Sequence, residues 1–436
     1  MPASSVNPFI ALTRDGAARI AHAAIGAGEL TLRYVNAANI YVVSSVEAER
    51  AVRIQVDIPP QYATLRWDNT LDEAQWMRKP FPDLHIQHLL LIRRPGAAID
   101  FDAFRTMLPS VKDPGPSTGV LITHDPDLDE QIQAAGGSEF AGWLIQRDGV
   151  RPIQVAVEPE VLGIEQLRGR WPIDELATTS VMLVGCGSIG GAAADALAGY
   201  GIGHIELIDP DRFLWHNIVR HVLGAESVGQ YKVDALKTRL GKRWPNLRVT
   251  ARRLDVVDDA HHIRALINTV DIVLCTADGV APRRVVSHLA RRAGKLAVLA
   301  GVLDDGAIGE ILRLRPTPRF GCLLCSRQQL ADSGALDTEA DQELDYGTGQ
   351  VHQPMTAVPS DLHYIGILAA KTAVATMLES RYGDHTQRLP GEHAIIGLRP
   401  GNDLAAPFDL NYAGAIRWAS IPSPRPACPT CSPPAT

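Results

Sequence analysis

Residues 181–190 read Val181-Met182-Leu183-Val184-Gly185-Cys186-Gly187-Ser188-Ile189-Gly190, and the fold turns on this stretch. Four consecutive apolar residues running into a GxGxxG turn describe a strand buried on both faces. The Ala-rich run that continues to Ala198 describes a helix packed closely on that strand. Glycine lets the backbone turn sharply and approach a ligand, while a helix N-terminus presents unpaired N–H groups and a partial positive charge to phosphate. The turn is therefore expected to hold a nucleotide. By itself it does not separate a dinucleotide from ATP, and some Gly-rich turns only seat a helix on a sheet.

The residues downstream narrow the choice. After Gly201-Ile202-Gly203, a second apolar strand, Ile205 to Ile208, ends in Asp209. An acid about 20 positions past the glycines is placed to hydrogen-bond ribose hydroxyls in a parallel βαβ unit. Asp209-Pro210-Asp211 then leads to Asn217-Ile218-Val219-Arg220 and Gly229-Gln230-Tyr231-Lys232, and the strand Asp271 to Cys275 ends in Thr276-Ala277-Asp278. In chain order, two cations and an acid converge on the carboxyl ends of parallel strands, where open α/β sheets bind ligands. Arg220 and Lys232 suit a triphosphate, and Asp278 suits Mg²⁺, which prefers one or two carboxylates plus phosphate oxygens. An NAD-dependent oxidoreductase would account for Gly185, Gly187, Gly190 and Asp209 but would leave Arg220 and Lys232 without a task.

The totals are those of a globular chain. Its 436 residues predict two domains, and 46% hydrophobic and 21% charged residues supply ordinary cores. No apolar run approaches the roughly 20 residues needed to span a bilayer. The first residues lack the basic segment and apolar core of a signal peptide, so a cytoplasmic protein without structural disulfides and without a membrane partner is expected. A formal charge of −7 argues against nucleic acid as the main partner. Six cysteines carry a pattern: Cys322 and Cys325 form one CxxC pair, and Cys428 with Cys431 forms another. Two such pairs predict a closed, all-thiolate structural zinc site that ties the C-terminal tail back onto its domain. Cys186 and Cys275 read as small core residues.

Residues 1–160 predict an α+β domain, with helical periodicity at 12–26 and strand-like runs at Leu30 to Tyr34, Ile40 to Ser44, Val52 to Ile58, Leu89 to Ile92 and Val120 to Ile122. His85, His88 and His124 match no metal spacing, including the His-x-His plus Ser and Asp pattern of metal-dependent isopeptidases, and read as surface or core histidines. Trp76 to Pro82 reads as packing. Pro152, Pro159 and Trp171-Pro172 mark a boundary, with an approach helix at about Leu162 to Gly169, and residues 161–436 form the nucleotide-binding half.

Taken together, Gly185 to Gly190, Asp209, Asp211, Asn217 with Arg220, Lys232, Asp278 and the four cysteines resemble the ThiF/MoeB/HesA superfamily, which includes the ubiquitin-activating enzymes; the resemblance covers about residues 162–434. It implies a Rossmann-like, mostly parallel α/β sheet with a structural zinc, usually a homodimer. The implied activity is ATP- and Mg²⁺-dependent adenylation of the C-terminal carboxylate of a ubiquitin-like protein. By that resemblance Asp209 binds the ribose, Arg220 and Lys232 bind the phosphates with help from Asn217, and Asp278 places Mg²⁺.

There are departures. His221 follows the arginine where the family has Gln, Gly279 follows Asp278 where it has Asn, and the family's N-terminal arginine has only Arg168 and Arg170 as candidates. Residues 326–427 contain no cysteine, whereas ubiquitin activators carry their thioester cysteine in this crossing segment. A bacterial adenylating enzyme that passes its acyl-adenylate to a conjugating or sulfur-transfer partner is expected. The alternative is a nucleotidyltransferase of the same superfamily that modifies a precursor peptide. Within the crossing segment, the acidic stretch Asp332 to Asp345 and Tyr346-Gly347-Thr348-Gly349-Gln350 predict a mobile loop over the site. Pro359-Ser360-Asp361 predicts the start of a helix to Leu378 with Ser360 as cap, and strands at Ala394 to Leu398 and Arg417 to Ile421 predict a surface for a ubiquitin-like tail.

Overall fold

The computed structural model describes residues 8–66, 70–113, 115–161, 163–317, 319–335, 357–399 and 404–432. The Tyr346 to Gln350 stretch and most of the acidic segment lie outside the described residues. The chain forms two compact units, Met1–Leu162 and Gly163–Thr436. No helix among the described residues is long and apolar enough to cross a membrane.

In the first unit the order is β1 (Phe9–Leu12), α1 (Arg14–Ala21), β2 (Ala27–Val35), β3 (Ile40–Glu49), β4 (Val52–Gln55), α2 (Ala63–Arg66), β5 (Thr70–Arg78) and α3 (Pro82–Ile92). There follow α4 (Phe101–Met107), β6 (Gly119–His124), α5 (Glu130–Ala134), β7 (Phe140–Gln146) and β8 (Gly149–Val157). The sheet runs β1-β8-β7-β6-β5-β2-β3-β4, and β1 also pairs with β3, so the sheet curls until its first strand meets its seventh. Ile10, Leu30, Leu32, Val43, Trp76, Ile122 and Ile153 fill one core cluster of this unit. Leu89 to Ile92 form the end of helix α3 rather than a strand. A short apolar run does not reveal its period, and here Pro82 at the first helical turn sets a helix whose Leu84 and His85 are buried.

The second unit opens with the 3₁₀ turn Gly163–Leu167 in place of the expected approach helix. It continues through α6 (Ile173–Ala177), β9 (Ser180–Val184), α7 (Ser188–Gly199), β10 (His204–Ile208), α8 (Lys232–Arg243), β11 (Arg248–Arg252), α9 (Ala260–Ile267), β12 (Ile272–Cys275) and α10 (Val280–Arg292). The remainder is β13 (Leu296–Leu303), β14 (Ile308–Leu314), α11 (Leu323–Asp332), α12 (Pro359–Tyr382), β15 (His393–Gly397) and β16 (Ile416–Ala419). The sheet order is β11-β10-β9-β12-β13-β14-β15-β16. Pairings from β11 to β13 are parallel, and those from β13 to β16 are antiparallel, so the sheet is mixed.

Period-2 alternation explains the double burial. Val181, Leu183, Ile205, Leu207, Ile272 and Leu274 pack with α7, α8 and α12 on one face, whereas Met182, Val184, Ile208, Val273 and Cys275 pack with α9 and α10 on the other. Each fully buried aliphatic side chain contributes about 1.5–3 kcal/mol. Helix α12 lies against α7 at a spacing only glycine permits, since a Cβ on Gly366 would meet the Ile189 carbonyl at 2.3 Å. Its N-cap is Val358, which makes no side-chain cap bond, so Ser360 is not the cap; Pro359 at the first position supplies the helical φ instead. Chain order reverses between β9 and β12, and the loops leaving the carboxyl ends of these strands, 185–187 and 276–279, flank the crevice where such sheets take ligands.

Candidate active site

The Gly turn is shaped by its neighbours. Gly185 has φ +86°, and a Cβ there would stand 2.4 Å from the Ala277 amide nitrogen; a Cβ on Gly190 would stand 1.9 Å from the Gly185 carbonyl oxygen. Both positions therefore need glycine for the protein's own packing. Gly187 differs, because a Cβ there meets nothing within 4 Å. It caps α7 without a side chain, leaving the first N–H groups of the helix facing that open space. Thr276 Oγ1 donates to the Gly185 carbonyl at 2.7 Å, joining the β12 loop to the turn.

Asp209 completes the turn from β10. One carboxylate oxygen accepts the Cys186 amide at 2.7 Å, and the other accepts the Asp211 amide at 2.8 Å. Its side chain is buried, and burial pushes its pKa upward against the pull of nearby Lys232. Lys232, the first residue of α8, reaches Asp211 at 2.8 Å. Burial works against its charge, but the carboxylates of Asp209, Asp211 and Asp278 outweigh it and hold the ammonium above its ordinary pKa. Asp278 itself is exposed at the end of the β12 loop, just before Gly279 with φ +83° opens α10.

The segment 214–223 brings the arginine. Asn217 is buried and spends its side-chain oxygen on the Leu214 amide at 2.8 Å, which closes a 3₁₀ turn and sets the direction of the chain into Arg220. The Arg220 carbonyl accepts from the hydroxyl of Ser188 in the Gly turn and from His363 Nε2 of α12 at 2.9 Å. His221, the departure from the family's Gln, reaches the Cys186 carbonyl through Nε2 at 2.7 Å while its Nδ1 accepts the Leu223 amide at 3.1 Å. These partners fix a neutral ring protonated on Nε2, and burial lowers its pKa to about 4. Direct hydrogen bonds thus tie the Gly turn to Asp209, Arg220 and His221, while Lys232 joins through Asp211 and Asp278 by charge alone.

Ser188, His221, Thr276 and His363 were not among the residues the sequence picked out as functional. Only His221 left a signal, as the residue standing where Gln was expected. Arg168 pairs with Asp174 at 2.7 Å and Glu165 at 2.5 Å, is more than half exposed and makes no contact with this site among the described residues.

The four paired cysteines come together. Cys322, Cys325, Cys428 and Cys431 are buried, with all four sulfurs within 4.8 Å of one another. Sulfur separations of 3.9 Å (Cys322–Cys325), 3.5 Å (Cys322–Cys428) and 4.0 Å (Cys325–Cys431) bracket the roughly 3.8 Å edge of a tetrahedron with Zn–S bonds of about 2.3 Å. The Arg425 amide points at Cys325 Sγ at 3.5 Å, and Arg292 of α10 holds the Pro429 and Ser432 carbonyls. The donor set and its size fit zinc. In the first unit, His85 bonds the Ser138 carbonyl and Thr123, and His88 bonds the Ile153 carbonyl; neither joins a metal-sized cluster among the described residues.

Residues 163–390 match the ThiF family. An uncharacterized protein, y4oA, of Sinorhizobium fredii is 29% identical over 60% of this chain and 47% of its own length. Molybdopterin-synthase adenylyltransferase of Escherichia coli is 35% identical over 38% of this chain and 66% of its own length. The chain thus spans less than two thirds of the length of these curated relatives. A crystal structure of E. coli MccB with ATP is 22% identical over 59% of this chain and 68% of that one, with a TM-score of 0.43.

Proposed function

This chain belongs to the ThiF family, and on that premise we propose that it is an adenylyltransferase that activates the C-terminal carboxylate of a ubiquitin-like protein with ATP and Mg²⁺. The observation that carries the reading is the meeting of the Gly turn, Asp209, the Arg220 backbone and Lys232 at the strand-order reversal of the sheet. The name of the molybdopterin-synthase adenylyltransferase relative supports it.

In this reading Gly187 leaves room for the phosphates against the first turn of α7, Asp209 takes the ribose, and Arg220 and Lys232 neutralise phosphate charge. Asn217 orients the arginine rather than touching the nucleotide. Asp278 would hold Mg²⁺, which would supply further charge neutralisation on the phosphate oxygens. The substrate carboxylate is ionised near neutral pH, so its oxygen attacks the α-phosphorus without a base. The new bond joins carboxylate oxygen to phosphorus, the bond to the bridging oxygen breaks, and pyrophosphate leaves with that electron pair. The chain's own contribution is positioning and charge stabilisation.

The acyl-adenylate then passes to a separate acceptor. Two observations support this: Cys186 and Cys275 are fully buried with thiol pKa values pushed up by burial, the latter to about 11, and the other four cysteines sit together in the cluster. Zinc at that cluster would be structural.

ATP–pyrophosphate exchange tests the assignment, with a ubiquitin-like protein ending in Gly-Gly and a short precursor peptide as separate substrates. Exchange dependent on the ubiquitin-like protein and lost in Lys232→Ala and Asp278→Ala is expected. Exchange that survives both substitutions would overturn the site, and exchange with the peptide alone would replace the substrate.

A further inference from the structure

Lys232 directly follows Tyr231, the N-cap of α8. The segments 211–213 and 229–232 form a short antiparallel clip: the Lys232 amide donates to Asp211 at 3.0 Å, Phe213 to Gln230 at 2.8 Å and Gly229 to Phe213 at 2.8 Å. At the centre of the clip Arg212 faces Tyr231. The Arg212 guanidinium carbon stands 4.0 Å from the centre of the Tyr231 ring, and that of Arg253, just past β11, stands 4.1 Å from it. These are stacking distances, at which a guanidinium is attracted to the negative face of the ring.

Each arginine is also anchored. Arg212 donates to the Gly229 carbonyl at 2.7 Å, within the clip, and Arg253 grips Asp234 of α8 through Nε at 2.9 Å and Nη2 at 2.7 Å. Tyr231 is thereby fixed from the ends of two neighbouring strands, and as the N-cap of α8 it passes that constraint straight to Lys232. The same clip reaches the Gly turn, because buried Phe213 lies edge-on to His221 at 5.2 Å. Among the described residues, neither arginine shows a contact with the Gly turn.

We propose that Arg212, Tyr231 and Arg253 are positioning residues that set where the Lys232 ammonium stands against Asp211, and so tune nucleotide affinity without touching the nucleotide. The consequence for ATP rests on the adenylyltransferase reading; the placement of Lys232 does not. Without the stack, the first turn of α8 is free to shift and Lys232 leaves Asp211. Lysine at position 212 keeps the charge but loses the planar stack.

The test has two readouts on the full chain. The first is the labelling of Lys232 by a mild amine acylating reagent, followed by mass spectrometry with no nucleotide present. Labelling should be slow in the wild type and in Tyr231→Phe, which keeps the ring. It should be several-fold faster in Tyr231→Ala, Arg212→Ala and Arg253→Ala, with Arg212→Lys in between. Unchanged labelling in the folded alanine variants overturns the proposal whatever the protein does with ATP. The second is the exchange assay, where KM for ATP should rise several-fold in each arginine variant with kcat changed little. The double variant Arg212→Ala/Tyr231→Ala should be no worse than Tyr231→Ala, because one acts through the other. A further loss in the double variant would mean that Arg212 acts by a route other than the Tyr231 ring and would overturn its role through the stack. If the wild type shows no exchange while labelling follows the expected order, the adenylyltransferase reading falls and the positioning role stands. Melting curves identify any variant that fails to fold, and Arg212→Lys with Tyr231→Phe then carries the comparison.

Discussion

His221 has a folded pKa of about 4, set by burial, against about 6.5 in an unfolded chain. Between those values the unfolded state binds more protons, so stability rises with pH and is lost as pH falls from 6.5 through 4. The full effect is about 3 kcal/mol. Protonation also removes the acceptor that Nδ1 offers to Leu223, which loosens the segment carrying Arg220. Thermal melting at pH 7 and pH 4.5 should show a smaller fall for His221→Gln, whose amide can still donate to the Cys186 carbonyl. An equal fall in both proteins would remove His221 from the account.

The glycines give a second contrast at this scale. Gly185→Ala places a methyl group inside contact distance of the β12 loop at a positive φ, and should cost about 3 kcal/mol or more, read as a lowered melting temperature. Gly187→Ala adds its methyl to open space at φ −76° and should leave melting within about 1 kcal/mol while raising KM for ATP at least tenfold. The first residue serves the fold and, in the proposed function, the second serves the ligand, a distinction the GxGxxG pattern does not make.

Among the elements, α12 links packing to the site. Gly366 lets it lie on α7, and His363, three residues earlier, holds the Arg220 carbonyl. Gly366→Ala must push the helix away from Ile189, costing about 1–3 kcal/mol in melting measurements. It should also lower exchange through His363, whereas His363→Ala should lower exchange with little effect on melting. An unchanged exchange rate in both variants would uncouple the helix from the arginine.

The tail is the other element-scale device: the Cys428–Cys431 turn closes on Cys322 at the N-cap of α11 and is tied to α10 by Arg292. Elemental analysis should find about one zinc per chain. Cys428→Ser should lose it and melt at a lower temperature. Absence of metal in the wild type would leave four thiols without that role.

At the scale of the molecule, the two units share one acid liability, since His88 and His124 of the first unit also have pKa values lowered to about 4 by burial. The placement of all six cysteines makes a broader prediction. Incubation with ATP, Mg²⁺ and a ubiquitin-like protein should yield no adduct that a thiol reductant cleaves, as seen by gel and mass spectrometry. An adduct mapped to Cys186 or Cys275 would mean that the sheet opens during the reaction.

Much of the second unit was legible in the sequence because its signals are local. The period-2 apolar runs, the glycines with their imposed backbone conformations and the acid closing β10 are written in adjacent residues. The CxxC pairs were legible because a metal's ligand chemistry restricts residue type and spacing. The Leu89 to Ile92 run was misread because four apolar residues carry no period, and the Ser360 cap was misread because Pro359 already set the helix start.

The sequence alone therefore determined that a buried strand, a Gly turn and a helix would meet a set of acids and cations in chain order. Only the tertiary structure decided what holds them. Thr276, His363 and Arg253 come from other strands and helices, as far as 143 residues from the group they bond in the case of His363 and Arg220. Their roles depend on hydrogen bonds and stacking that exist only after the sheet has brought its strand ends together. One chain's order of residues encodes local backbone preference directly, but distant partners only through the fold.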